Sequence, residues 1–280
     1  MSGLTRTLGI DLASQPASTA ACLIEWGPKD ATVLEPPNDP LTDSVLLELI
    51  EGDLVTKVGI DAPFGWPLEF VQAVGGYAQD GEWPVPIDDP NGIQASLVLR
   101  ETDREVLRVT AEPLEPSGVN RTGKRPLSVT TNWIAYAAMR CARLVGELGR
   151  RQGRAVDRSG RDLLCEVYPD AALREWGLSP ADWSQGAGGY KGKDPLAVGR
   201  RQKLVTSLLR ELGEWLTVPE SVAESWRRSD DHLDAALCAL VARSVEAGAS
   251  RPITTQLARA QREGWIHLPA PARLSYLAPG

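Results

Sequence analysis

Apolar residues cluster over 5–12 (RTLGIDLA) and 18–25 (STAACLIE), two short runs that predict β-strands paired as a hairpin. A third short strand is expected at 31–36 (ATVLEP), completing an antiparallel meander, after which Pro36, Pro37 and Pro40 break the chain. Over 41–52 the period changes. LTDSVLLELIEG repeats apolar residues at three- and four-residue steps, predicting a helix with Gly52 as its stop. DLVTKVGIDAP at 53–63 predicts a buried strand ending at Asp61, beyond which Pro63 and Gly65 force a loop. The first 65 residues thus read β-β-β-α-β.

The pattern from about 66 to 127 is irregular and rich in Gly and Pro, and is expected to be an insertion. A long helix follows over 128–149, then a strand over 161–168 that Pro169 ends, and a short helix in DAALREWGL. WSQGAGGYKGK at 183–193 reads as a Gly-rich loop, and the last third as helices near 195–216, 219–227 and 231–247. No linker or internal repeat divides the chain. A single domain over 1–280 is expected, large enough for a substantial core.

Candidate chemistry sits where these elements end. LGIDLAS and VGIDAPFGWP place Asp11 and Asp61 at the ends of apolar strands, each within a GID tripeptide. CEVYP places Glu166 in a run otherwise suited to burial, where alternation sets Leu164, Glu166 and Tyr168 on one face. DDHLDAALCAL opens a helix with Asp230, Asp231 and Asp234; one of the three is expected to cap it, and Asp231 and Asp234 share a face. Strand ends and a helix start can bring distant residues to one spot, and several carboxylates there repel unless protonated or neutralised by a cation. The plainer alternatives are turn-capping aspartates and an edge-strand glutamate. Lys191 and Lys193 in GGYKGKD could grip a phosphate or be solvated, and GxxxxGK[ST] is absent from this segment. Arg100, Asp103 and Arg104 form either a surface ion-pair cluster or substrate contacts.

Composition narrows the classes. Two histidines, His232 and His267, all but exclude a His-rich zinc site. A net charge of −7 argues against a general nucleic-acid binder, although seven arginines between Arg140 and Arg161 could form a phosphate-binding rim or simply a solvated helix face. The four cysteines are widely spaced and read as reduced, buried thiols. With no apolar run of about 18 residues and no apolar leader pattern, a cytoplasmic protein with no membrane partner is expected.

The order strand Asp, strand Asp, strand Glu, helix DxxD resembles the ribonuclease H-like superfamily, especially its Holliday-junction-resolvase branch. More closely, GIDLA, GIDAPFGWP, RETDRE, CEVYP, GYKGK, DDHLDAALCAL and EGWIHLP resemble the predicted-nuclease family known as domain of unknown function 429, from about residue 8 to 269. The resemblance implies an α/β fold with a mixed five-stranded sheet in order 3-2-1-4-5, its first three strands antiparallel, flanked by helices. It implies a metal-dependent nuclease or phosphodiesterase using Mg²⁺ or Mn²⁺ at a two-metal carboxylate site. Asp11, Asp61, Asp231 and Asp234 would be metal ligands, and together with Glu166 the catalytic acids. Lys191, Arg100, Arg104 and Tyr168 would contact substrate. Nucleic acid is the candidate partner, with DNA against RNA and the oligomeric state left open. Two other readings stay open: a non-catalytic binding module of the same fold, and an actin-like ATP-dependent phosphotransferase, for which 280 residues leave little room.

Overall fold

The computed structural model describes residues 3–37, 40–84, 95–113, 121–178, 189–270 and 274–279. Strands β1 (Thr5–Asp11), β2 (Ala20–Trp26) and β3 (Ala31–Val33) form the meander, helix α1 (Asp43–Ile50) follows, and β4 (Val55–Asp61) returns parallel to β1. The expected irregular stretch holds three helices among its described residues, α2 (Leu68–Asp80), α3 (Ala95–Val98) and α4 (Glu101–Ala111). Then come α5 (Ile134–Gln152), β5 (Leu164–Val167), α6 (Pro169–Glu175), α7 (Pro195–Leu212), β6 (Leu216–Thr217), α8 (Glu220–Arg228), α9 (Asp230–Glu246), α10 (Leu257–Glu263) and β7 (Ile266–His267). The architecture is α/β, a mixed sheet between helical layers.

The sheet has seven strands in the order β6-β3-β2-β1-β4-β5-β7, which corrects the expected five in order 3-2-1-4-5. The additions lie at the two edges: β6 pairs parallel with β3 and β7 parallel with β5, each two residues long. Two residues carry no periodic pattern, so a run that short has no signature of its own.

Both sheet faces are buried. Leu8 and Ile10 of β1 and Val58 and Ile60 of β4 pack with Leu46 and Ile50 of α1 and Leu144 and Leu148 of α5. The other face carries α9, itself covered by α7 and α8 through Leu204, Leu208, Val222 and Trp226. With partners on both sides, α9 is apolar almost all round, as a core helix must be. Its N-cap is Ser229, whose hydroxyl accepts from the His232 amide at 3.4 Å, which corrects the expectation that one of the three acids caps it.

Two glycines set how closely α9 lies on the sheet. A Cβ at Gly9 would come within 1.9 Å of the Ala235 carbonyl oxygen and 2.3 Å of the Ala239 nitrogen. At Gly59 it would come within 2.4 Å of the Cys238 carbonyl oxygen. Helix backbone therefore rests on strand backbone, which explains both the repeated GID and the small residues of α9. Asp11 and Asp61 each follow two positions after these glycines and so share the α9 face of the sheet.

Candidate active site

β1 and β4 run parallel with Asp11 opposite Asp61 in register, so two carboxylates end neighbouring strands at the same level. The carboxyl ends of parallel strands are where α/β sheets present ligand sites. The first turns of α9 bring Asp231 and Asp234 to the same end. Asp234 is only 1 % exposed, whereas Asp231 is half-buried.

Charge is poorly balanced at this cluster. Burial, then the neighbouring Asp234 and Asp61, push the Asp11 carboxyl well above the usual carboxylate range. Burial raises Asp61 to about 7, opposed by Lys191 and reinforced by Asp234. Asp234 is also raised by burial, against the pull of Lys191 and Tyr190. Asp231 is raised by burial and by Asp230. Among the described residues no hydrogen-bond donor reaches the Asp11 carboxylate.

The compensating cation is Lys191. Its Nζ lies 2.5 Å from Asp234 Oδ2 and 3.8 Å from Asp61 Oδ2, while the side chain as a whole is 46 % exposed. Burial disfavours the ammonium, but Asp234, Tyr190, Asp61 and Asp11 outweigh it and hold the lysine protonated. Tyr190 donates its hydroxyl to Asp234 Oδ1 at 2.5 Å. Buried Arg201 of α7 grips the backbone on either side, bonding the Tyr190 carbonyl at 2.7 Å and the Gly192 carbonyl at 3.1 Å. The Gly192 amide in turn donates to Asp230 at 3.1 Å. Sequence reasoning missed Tyr190. Its only signal was an aromatic ring inside a glycine-rich polar stretch, beside the lysine that was noticed. The first part of that expected Gly-rich loop, 183–188, lies outside the described residues.

Glu166 does not join the aspartates. In the β4–β5 register it stands opposite Ile60, on the face away from α9, while Asp61 points the other way. Both its oxygens are bonded by Arg100, at 2.7 and 2.8 Å, and Oε2 also accepts from the Phe64 amide at 3.0 Å. Arg100 reaches Asp103 as well, at 2.8 Å, and is only 2 % exposed. The triad is so tight that a Cβ at Gly264 would come within 2.6 Å of Glu166 Oε2; that glycine has a φ of 85°.

Arg100 and Glu166 are ion-paired to each other and, with Asp103, form a buried triad, and both also line a cavity shared with Asp61 and Lys191. Arg104 stands at the surface beside Glu101, 3.8 Å away, and bonds the Leu99 carbonyl at 3.4 Å, which holds it in local contacts of α4. Tyr168 stands at the N-cap position of α6 and lines a cavity of about 260 Å³ with Asp61, Arg100, Glu166, Lys191, Leu127, Ile134 and Ile266. The arginines of 140–161 are largely spent on structure: Arg140 bonds Asp43, Thr19 and the Ala13 and Leu41 carbonyls, and Arg150 and Arg151 both bond Glu147.

A family model described as a protein of unknown function, DUF429, matches residues 9–259. The chain belongs to this family. The match runs from the first GID strand into α10 and takes in Asp11, Asp61, Glu166, Lys191 and Asp234 of this DUF429 protein. No curated protein and no solved structure matches the chain. No helix among the described residues of this DUF429 protein is long and apolar enough to cross a membrane.

The donor set suits a hard divalent cation such as Mg²⁺ or Mn²⁺, because it is made of carboxylate oxygens. Among the described residues no three His, Cys, Asp or Glu side chains are gathered as a ready metal-binding group. Asp11 and Asp61 could hold one such ion, with Lys191 standing 3.8 Å from Asp61. Asp234 is held by Tyr190 and Lys191.

Proposed function

We propose that this protein is a metal-dependent phosphodiesterase of the nuclease type, built on a ribonuclease H-like fold. One observation carries the reading: Asp11 and Asp61 stand in register at the carboxyl ends of adjacent parallel strands, half-buried, mutually repelling and, among the described residues, with Lys191 at 3.8 Å from Asp61 as the one nearby cation. Such a pair is costly for folding alone and suits a centre that takes up positive charge. Asp11 and Asp61 would hold Mg²⁺ or Mn²⁺, which would supply Lewis acidity toward a phosphoryl oxygen and a more acidic water. Lys191, protonated and half-exposed at the mouth, is placed to receive a phosphate oxygen and steady the negative charge that grows during hydrolysis. The adjoining cavity of about 260 Å³, apolar on the Leu127, Ile134 and Ile266 side, gives room for part of a nucleotide next to that phosphate.

A second reading has its own support. Both oxygens of Asp234 are already occupied by Tyr190 and Lys191, which favours a module that keeps the acids for structure and binds without cleaving. Metal titration separates the two. Calorimetry of the metal-stripped protein with Mn²⁺ should show binding that Asp11→Asn abolishes, and the same substitution should remove cleavage of single-stranded, branched and RNA substrates. Cleavage retained by Asp11→Asn would sink the assignment. Absence of metal binding and of cleavage in the wild type would leave the binding module.

A further inference from the structure

The resemblance implies two metal ions, yet one of the two cation positions among these acids is already filled from within the chain. The Lys191 ammonium sits on Asp234 and leans toward Asp61, at 2.5 and 3.8 Å. It is not a wandering surface lysine. Tyr190, buried to 1 % exposure, locks onto the other oxygen of Asp234, and Arg201 fixes the carbonyls before and after Lys191. The Gly192 amide ties the same segment to Asp230 in the first turn of α9. Four contacts, from α7 and α9, thus place one ammonium against one carboxylate. Each oxygen of Asp234 already carries a short contact, and an ammonium beside the carboxylate repels any second cation.

We propose that Lys191 is the second cation of this centre, so that one divalent ion, held by Asp11 and Asp61, completes it. The inference rests on the metal reading above and sharpens it. Lys191 then does with a fixed positive charge what a second ion would do, drawing negative charge off a bound phosphoryl group. Asp234 becomes the residue that positions Lys191, and Tyr190 the residue that orients Asp234.

The test is a count of ions, independent of activity. Wild type, Lys191→Met, Lys191→Arg and Asp11→Asn are stripped of metal and titrated with Mn²⁺ by calorimetry and by electron paramagnetic resonance of the free ion, with thermal melts confirming that each is folded. Wild type and Lys191→Arg should each bind about one ion, Lys191→Met a second, and Asp11→Asn none. Two ions in the wild type would overturn the inference while leaving the metal reading intact. A Lys191→Met protein that still takes a single ion would overturn it as well. No ion in either wild type or Lys191→Met would bring down the metal reading and the inference together.

Discussion

Two groups of acids lie at the same end of this sheet and are handled in opposite ways. Glu166 and Asp103 share Arg100, a rigid guanidinium fork that meets both carboxylates at 2.7–2.8 Å. Asp61 and Asp234 share Lys191, at 3.8 and 2.5 Å, and among the described residues no cation pairs with Asp11. In the first group one guanidinium bonds both carboxylates. In the second, burial first and neighbouring acids after it push Asp11 and Asp61 above the usual carboxylate range; burial raises Glu166 too, but there the Arg100 guanidinium opposes it directly. A buried acid is therefore informative through what neutralises it, and here the contrast separates a structural ion pair from a candidate reactive centre only one strand away.

The comparison breaks most visibly at Arg100. Arg100→Leu strands two buried carboxylates without a partner and should cost about 3–5 kcal/mol, read as a fall in the midpoint of chemical or thermal unfolding. Recovery of much of that loss when Glu166 and Asp103 are also made apolar would confirm that the triad is structural. A smaller effect of opposite sign is expected at Asp61. Its carboxyl titrates at about 7 instead of 3.8, so ionising it burdens the folded state. The burden is absent below about pH 4, grows as pH rises, and is full above about pH 7. In chelator, Asp61→Asn should therefore stabilise the protein by about 2–4 kcal/mol at alkaline pH, and the gain should vanish in acid. A gain that is equal at both pH values would show that charge is not its source. Smallest is Glu166→Gln, which leaves Arg100 still paired with Asp103 and should cost about 1–3 kcal/mol. Its Mn²⁺ titration should be indistinguishable from wild type, in contrast to Asp11→Asn.

Much of this was legible in the sequence, for physical reasons. The inner strands and the long helices announce themselves by period, and Asp11 and Asp61 stand out because a carboxylate closes an apolar run. The edges of the sheet were hidden, since Leu216–Thr217 and Ile266–His267 are too short to have a period. Alternation correctly sets Leu164 and Glu166 on one face, but which face depends on pairing with Ile60, a long-range register that no local pattern encodes. The partnership of Arg100 with Glu166 spans 66 positions and is equally silent. The Lys191 motif was visible as a candidate for phosphate, whereas its grip on Asp234 depends on Tyr190 and Arg201, which look ordinary in the sequence.

The bare contact of α9 with β1 and β4 at Gly9 and Gly59 has a further consequence. Where side chains mediate packing, a helix can slide or tilt by rotamer changes that cost little. Here main chain meets main chain, and the distance between helix and sheet has no adjustable spacer. The carboxylate of α9 is therefore held in fixed relation to those of the strands until the whole sheet comes apart. Amide hydrogens around Ala239 should therefore exchange only through global unfolding.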